Sequence, residues 1–136
     1  MKINTKIRYG LRMLVFLAES DQILNTVELG TKMNVSPKYL RKLAGPLEKA
    51  NLIKSVQGIH GGYRIKKHPC EISLKMIFNA FDEDINLSNC FKIVKCSLFE
   101  DCVVRPLWDH LEKVLENEFF NLSIENILQG KFNKIK

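Results

Sequence analysis

The sequence predicts a mainly α-helical fold with one small β-hairpin, an α+β architecture of the winged helix-turn-helix kind with a long C-terminal dimerisation helix. Three features of the 136 residues lead to this prediction. Two short helical segments lie close together within residues 25–50. Two β-like runs joined by a glycine-rich turn follow them directly. A long amphipathic segment then occupies residues 106–122.

The first helix is predicted near the N-terminus, where Gly10 interrupts an apolar face and slightly weakens the helix. The apolar positions recur at helical spacing: Ile7, Leu11, Leu14, Val15 and Ala18. After a turn, Asn25 or Thr26 caps a second helix, and Glu28 is placed to complete a capping box. This second helix ends near Asn34.

The third helix begins after Ser36, a favourable N-cap, with Pro37 at the first helical position, where proline is tolerated. Gly45 and Pro46 lie inside it, and a proline there removes a backbone donor and clashes with the preceding turn. We therefore expect a kink near Ala44, or a helix that breaks and resumes. Together the second and third helices are typical of a helix-turn-helix.

The β-hairpin is predicted from the runs at residues 52–56 and 62–67, which flank the turn "QGIHGG". A hairpin that directly follows a helix-turn-helix makes a winged helix. Its basic tip is placed to reach a phosphate backbone or a minor groove.

Three further helices are predicted after the wing: one capped by Ser73, a long one that Pro106 begins, and a short one capped by Ser123. The apolar stripe of the long helix comprises Trp108, Leu111, Leu115, Phe119 and Leu122, widened by Leu107 and Val114. One small winged helix has little core to offer such a stripe, so we expect it to pack against a twin in a homodimer. The alternative is that this helix folds back on its own domain.

These elements divide the chain into four parts. A winged helix-turn-helix DNA-binding domain is predicted at 1–82 and a cysteine-bearing sensor loop at 83–105. The dimerisation helix and the short final helix occupy 106–130, and a tail occupies 131–136.

Positive charge is concentrated in the first half of the chain. The net charge is +6, but residues 1–68 hold 13 Lys and Arg against 4 Asp and Glu, whereas residues 69–136 hold 8 against 11. A basic half joined to a mildly acidic half indicates that one half meets a polyanion. The plain alternative is that these lysines are solvated surface.

Candidate DNA contacts lie on the third helix, at the tip of the wing and near the N-terminus. The helix N-terminus at Ser36 suits a phosphate, and the Arg41 guanidinium suits a guanine edge in the major groove. The helix candidates are Ser36, Lys38, Tyr39, Arg41 and Lys42. The others are the wing residues Gln57, His60, Gly61 and Gly62, and Arg8 in the first helix.

Three of the four cysteines lie close together, Cys90, Cys96 and Cys102, with five residues between each pair. The N-terminal residues show no export signal, so we expect a cytoplasmic, reducing environment in which structural disulfides are rare. Clustered thiols there indicate metal, cluster or redox chemistry. An iron–sulfur cluster, a zinc site, a redox thiol and idle thiols are all open. Cys70 is predicted to be a half-buried cysteine with no ligand role.

The order of these parts resembles the IscR/NsrR-type family of bacterial transcription regulators. Three stretches carry the resemblance: "VSPKYLRKLAGPLEKANLIKSVQGIHGGYRI", the C-x5-C-x5-C spacing, and "PLWDHLEKVL". The resemblance implies a homodimer that binds a palindromic double-stranded DNA operator. It also implies that the three cysteines ligate a 2Fe-2S or 4Fe-4S cluster, which sets the affinity for that operator.

The sequence departs from the family at the fourth cluster ligand. The family uses a histidine three residues after the last cysteine, where this chain has Arg105, or an acidic residue in the first helix, where it has Arg8. An arginine side chain cannot ligate iron. Glu100 and Asp101 in the loop, an external thiol or water are the remaining candidates.

Two other functions compete with the cluster-dependent regulator. The first is a cluster-free regulator of the same fold, controlled by thiol oxidation or by a partner enzyme of cysteine metabolism. The second is a redox enzyme or cluster carrier that uses the cysteines directly and binds no operator. The helix-turn-helix and the basic wing argue against the second, and we predict that the chain is not an enzyme.

Overall fold

The computed structural model describes residues 2–88 and 96–133. Cys90 and the last three residues of the predicted tail therefore lie outside the described residues. The elements of the described ranges are α1 (Thr5–Ser20), α2 (Thr26–Met33), α3 (Pro37–Lys49), β1 (Ile53–Val56), β2 (Gly62–Ile65), a 3-10 helix (Pro69–Glu71), α4 (Leu74–Ala80), α5 (Arg105–Asn121) and α6 (Ile124–Leu128).

Side-chain caps confirm three of the predicted helix starts, those after Asn25, Ser36 and Ser73, whereas α5 begins at Arg105 without such a cap. Asn25 caps α2: its Oδ1 accepts from the Glu28 backbone N–H at 2.8 Å, and a Glu28 carboxylate oxygen accepts from Asn25 N–H at 3.1 Å. Ser36 caps α3 by accepting from a backbone N–H at 3.1 Å, and Ser73 caps α4 in the same way at 3.3 Å. Each cap satisfies an N–H group that the helix itself leaves without a partner.

Helix α3 runs unbroken across Gly45 and Pro46, so the predicted break does not occur. Pro46 removes one hydrogen bond within the helix, but its neighbours Ala44 and Leu47 are fully buried. Burial of this face outweighs the local proline penalty, because packing overrides intrinsic helix propensity.

The buried face of α1 differs from the predicted one, because Gly10 forms part of it. A Cβ atom on Gly10 would lie 2.7 Å from Phe81 Cε2, so the glycine makes room for this ring at the end of α4. The residues of α1 that are buried are Ile7, Gly10, Met13, Leu14 and Leu17. The predicted Leu11, Val15 and Ala18 are only half-buried at its edge.

The wing is a two-stranded antiparallel sheet in which Ile53 pairs with Ile65. Leu24, between α1 and α2, adds a second, one-residue pairing to β2: its N–H donates to Tyr63 O at 2.9 Å, and Tyr63 N–H donates to Leu24 O at 2.8 Å. These bonds fix the base of the wing against the start of α2.

The C-terminal part of helix α5 follows the predicted alternative of folding back on its own domain, while its packing against a twin stays a prediction. Phe119 packs against Phe78 of α4 with ring centroids 4.8 Å apart, so the C-terminal half folds back on the chain's own core. Farther toward its N-terminus an apolar face is open to solvent, with exposed fractions between 37% and 50%: Leu107, Trp108, Leu111 and Val114. None of the helices in residues 2–88 and 96–133 is long and apolar enough to cross a membrane.

Candidate nucleic-acid interface and cysteine segment

The two helices of the helix-turn-helix meet at a tight turn. Asn34 closes α2 in the left-handed conformation (φ 54°), and Val35 N–H donates to Gly30 O at 3.0 Å. Leu40 and Leu43 of α3 are fully buried beneath the turn. Because these two leucines fix the rotation of α3, its opposite face is turned to solvent.

The solvent face of α3 is basic. Lys38, Arg41 and Lys42 are all exposed on it, and Ser36 and Pro37 form its exposed N-terminal end. Within the described part of the chain, no carboxylate lies at ion-pair distance from these three cations. Their charge is therefore available to an external anion.

Tyr39 differs from its neighbours because its ring is half-buried. It packs edge-on against Tyr9 of α1, with centroids 5.8 Å apart and ring planes at 88°. The Arg12 guanidinium lies 5.1 Å from the centre of the Tyr9 ring. Arg8 is exposed one turn earlier on α1, so α1 adds two arginines beside the first turn of α3. Arg12 was not predicted, although its i, i+4 spacing from Arg8 signals a shared helix face.

An open cleft of about 480 Å³ separates the start of α2 from the wing. Arg41 lines it from α3, and Gln57, Gly61 and Gly62 line it from the wing, so four predicted site residues share one concave surface. The full lining comprises Asn25, Thr26, Val27, Arg41, Ser55, Val56, Gln57, Gly58, Ile59, Gly61, Gly62 and Tyr63. Asn25 and Thr26 were missed as site residues, because only the Leu24–Tyr63 pairing brings the start of α2 to the wing.

Tyr63 is one of the residues that line this cleft. Burial raises the pKa of its phenol above the usual 10.0, the Glu48 carboxylate raises that pKa further, and the Arg41 guanidinium partly lowers it. The Tyr63 hydroxyl is therefore protonated at neutral pH and keeps its hydrogen-bond donor.

The wing tip contains an apolar residue that the sequence did not single out. Ile59 is 96% exposed between the exposed Gln57 and His60. Apolar side chains at such tips are the wedges that minor-groove proteins insert between base steps. The predicted Gly61 and Gly62 are instead half-buried and lie against backbone: a Cβ on Gly61 would fall 2.1 Å from Val56 O.

The described part of the cysteine segment is a turn that begins at Cys96. Phe99 N–H donates to Cys96 O at 2.9 Å and Asp101 N–H donates to Leu98 O at 3.1 Å. Cys96 is exposed and Cys102 is half-buried, and both are free thiols. Thiols presented on an open turn have the donor chemistry that an iron–sulfur cluster requires.

Arg105 braces this turn at the point where the resemblance implies a ligand. Its Nη1 donates to Phe99 O, and its guanidinium lies 4.0 Å from the centre of the Phe99 ring. A guanidinium offers no lone pair to a metal. Among the described residues of this segment, Cys96 and Cys102 offer thiol ligands, whereas Arg105 offers none.

Comparison with known proteins identifies the family. The family model described as "Rrf2: Iron-dependent Transcriptional regulator" matches residues 3–130. The chain belongs to the Rrf2 family. It is a transcription regulator with a DNA-binding winged helix, and the predictions of family, fold and non-enzymatic function are confirmed.

Individual relatives cover nearly the whole of this Rrf2-family chain. The HTH-type transcriptional regulator IscR of Aliivibrio salmonicida is 28% identical over 94% of the chain and 77% of its own length. The structure of CymR, the global cysteine regulator of B. subtilis, is 27% identical, with a TM-score of 0.78 over 93% of this chain and 95% of that one. The oxidized form of Staphylococcus aureus CymR is 28% identical, with a TM-score of 0.71 over the same shares.

Proposed function

We propose that the chain is a cytoplasmic, homodimeric regulator that binds a palindromic DNA operator. An iron–sulfur cluster on Cys90, Cys96 and Cys102 sets its operator affinity. The observation that carries the proposal is the exposed basic face of α3 beside the cleft that Arg41 lines. In this proposal the sensor loop at 83–105 connects a winged helix at 1–82 to C-terminal helices at 106–130.

In this proposal α3 enters the major groove and the wing tip lies on the adjacent minor groove. Arg41 reads a base edge, while Lys38 and Lys42 hold phosphates. The proposed contact set is Ser36, Lys38, Tyr39, Arg41, Lys42, Gln57, His60, Gly61, Gly62 and Arg8. Arg12 and Ile59 extend this set on structural grounds.

Salt dependence tests the phosphate contacts. A duplex selected from a random library serves as the operator, and fluorescence anisotropy gives its affinity across a salt series. Lys38→Ala should lower the slope of log affinity against log salt by about one unit per subunit. Lys113→Ala, an exposed lysine on α5, is the matched control and should leave the slope unchanged. Equal slopes for both variants would contradict the proposed docking of α3.

The exposed apolar face of α5 supports the homodimer. Trp108 and its neighbours are too exposed and too contiguous for a monomer surface, and two copies of the face in antiparallel or parallel contact would bury them. Trp108 is the single tryptophan, so its fluorescence reports this burial directly. Diluting the dimer should shift its emission to the red, and Leu111→Glu should give a monomer in sedimentation. Phe120→Glu, which removes an apolar residue that is 65% exposed elsewhere on α5, should remain dimeric.

The cluster regulates by mechanical coupling in this proposal. Loading or losing it reorders residues 88–105, and that segment leads directly into α5. A reordered start of α5 changes the separation or orientation of the two α3 helices across the dimer. A coupling of about 1–2 kcal/mol changes operator affinity about fivefold to thirtyfold. The fourth ligand of the cluster comes from Glu100, from Asp101, from an external thiol or from water.

The CymR likeness favours a second candidate function. CymR is named as a cysteine regulator, and one of its solved forms is oxidized. Arg105 also stands where the resemblance implies a fourth ligand. The second candidate is therefore a cluster-free regulator that responds to thiol oxidation or to a partner enzyme of cysteine metabolism.

Purification without oxygen separates the two candidates. Visible absorption, iron and sulfide are measured for the parent chain, for Cys96→Ser and for Cys70→Ser as the matched control. The cluster would be supported if the parent chain and Cys70→Ser contain iron and sulfide and Cys96→Ser does not. A colourless dimer whose operator affinity changes with oxidant or with cysteine-metabolic enzyme would support the second candidate. A colourless dimer whose operator affinity changes neither with oxidant nor with the enzyme would contradict the proposed sensor role of the loop.

A further inference from the structure

Three potential metal ligands meet at the base of the wing, outside the cysteine loop. His68 and Cys70 flank Pro69 in the 3-10 helix, and Glu125 comes from the first turn of α6. One ligand atom from each residue lies within 4.8 Å of the other two. His68 Nδ1 is 3.0 Å from Cys70 Sγ.

This spacing is close to that of a tetrahedral zinc site. Zn–S bonds of about 2.3 Å and Zn–N or Zn–O bonds of about 2.0–2.2 Å place neighbouring ligand atoms about 3.4–3.6 Å apart. When a metal enters, the histidine and the thiol therefore separate by about half an ångström, and the Glu125 carboxylate moves closer by at most about 1.4 Å. His68 and Cys70 are exposed and Glu125 is half-buried, so their side chains can make this adjustment.

The backbone already holds the two segments together without the three side chains. Ile124 N–H donates to Ile72 O at 3.0 Å and Leu74 N–H donates to Leu122 O at 2.9 Å. These bonds run on both sides of the Ser73–Ser123 bridge, so the start of α6 is fixed beside the 3-10 helix. A metal would thus find its ligands preorganised, which lowers the entropy cost of binding.

In the metal-free protein His68 caps the 3-10 helix, and a metal bound to His68 would replace this capping hydrogen bond. His68 Nδ1 accepts from the Cys70 backbone N–H at 3.2 Å, so that lone pair is occupied in the metal-free protein. When a metal takes this lone pair, the Cys70 N–H loses one hydrogen bond, whose net contribution to stability is modest. The 3-10 helix keeps its second cap, in which a Glu71 carboxylate oxygen accepts from His68 N–H at 3.3 Å.

We propose that His68, Cys70 and Glu125 form a zinc site that is separate from the three-cysteine loop and independent of any cluster there. One thiolate, one imidazole and one carboxylate make a borderline set that suits Zn²⁺ better than Mg²⁺ or Ca²⁺, which prefer oxygen alone. Three protein ligands leave a fourth position for water. The ion fastens α6 to the segment that leaves β2, and so stiffens the junction between the wing and the C-terminal helices.

Cobalt substitution tests this site in the full-length chain. Cys90, Cys96 and Cys102 are replaced by serine, so that Cys70 is the only thiol. Added Co²⁺ should bind one to one, with the visible bands of a four-coordinate ion and a thiolate-to-cobalt charge-transfer band, and Zn²⁺ should bleach both. If circular dichroism shows that the triple variant is unfolded, the difference between the parent chain and Cys70→Ser gives the same spectrum.

Single substitutions decide whether three side chains act together. Cys70→Ser should abolish the charge-transfer band, and His68→Gln and Glu125→Gln should each weaken Co²⁺ binding at least about tenfold. His60→Gln and Glu118→Gln, which remove an exposed histidine and an exposed glutamate elsewhere, are the matched controls and should leave it unchanged. Zn²⁺ should raise the unfolding temperature of the parent but not of Cys70→Ser. Binding that depends on Cys70 alone, or no charge-transfer band at all, would overturn the site.

Discussion

Replacement of Gly62 by alanine tests how the wing is held in place. Gly62 has a φ of +152°, a conformation that L side chains rarely adopt, and it lies where β2 pairs with Leu24. A Cβ atom there would lie 2.2 Å from Leu24 O, which is backbone and cannot swing aside. The variant must therefore change the backbone of β2 or move Leu24 away from it.

Two effects contribute to the expected loss of stability: backbone strain at residue 62 and the loss of hydrogen bonds to Leu24. Holding a non-glycine residue in a sparsely populated backbone region costs about 1–3 kcal/mol. Moving Leu24 away breaks its two hydrogen bonds with Tyr63, each of which contributes about 1 kcal/mol net. We expect Gly62→Ala to lower the free energy of unfolding by about 3–5 kcal/mol. For a chain of this size the unfolding midpoint falls by roughly 10–18 °C.

Urea unfolding followed by far-ultraviolet circular dichroism measures this loss at one fixed protein concentration, because dimer stability depends on concentration. Gly45→Ala is the matched control: nothing lies within 4 Å of its added Cβ in the middle of α3. It should stabilise the protein by about 0.8–1 kcal/mol. A loss below about 1 kcal/mol for Gly62→Ala would refute the reasoning, since the strain and the clash would then be absent.

Three further substitutions test the cysteine segment, the wing tip and the cleft. Arg105→His supplies the missing fourth ligand, so if the loop holds a cluster its decay in air should slow several-fold; Arg105→Gln, which removes only the brace, should not slow it. Ile59→Ala should leave the unfolding midpoint unchanged, because the side chain is 96% exposed, but should weaken operator binding in an anisotropy titration if it wedges between bases. The Tyr63 proton is held more tightly in the folded state, so its stabilising contribution is complete below pH 10.0 and is lost as pH rises through the raised pKa. Ultraviolet titration of the parent chain should therefore show a phenolate component with a pKa above 10.0 that Tyr63→Phe lacks, and a variant that keeps this component would contradict the cleft geometry.

Local signals predicted most of the fold. Asn25, Ser36 and Ser73 were identified as caps because capping depends on residues three positions apart, which a single sequence displays. The wing strands were predicted for the same reason, from short β-like runs around a glycine-rich turn. Such features need no knowledge of what lies across the chain.

Long-range packing decided what the sequence could not. Gly10 weakens the prediction of α1 because glycine disfavours a helix, yet Gly10 is buried because Phe81, 71 residues later, packs against it. The apolar stripe of α5 forms a single face in the sequence pattern. In the structure Phe119 packs against the core, whereas Trp108 is exposed to solvent. The cleft between the start of α2 and the wing likewise depends on the Leu24–Tyr63 pairing, which joins segments far apart in the chain.

The division of α5 also indicates how a signal in the cysteine segment would travel. Arg105 links Phe99 of that segment to the first turn of α5, and the apolar residues in the turns that follow are open to a partner. Contact with the chain's own core comes farther along, where Phe119 meets Phe78 and the Lys75 ammonium lies 3.9 Å from the Glu116 carboxylate. A change at residues 96–105 therefore acts first on the half of α5 that faces the proposed partner. The internal packing of the winged helix need not change, because the separation of two α3 helices in a dimer is set by the interface between subunits rather than by the core of either one.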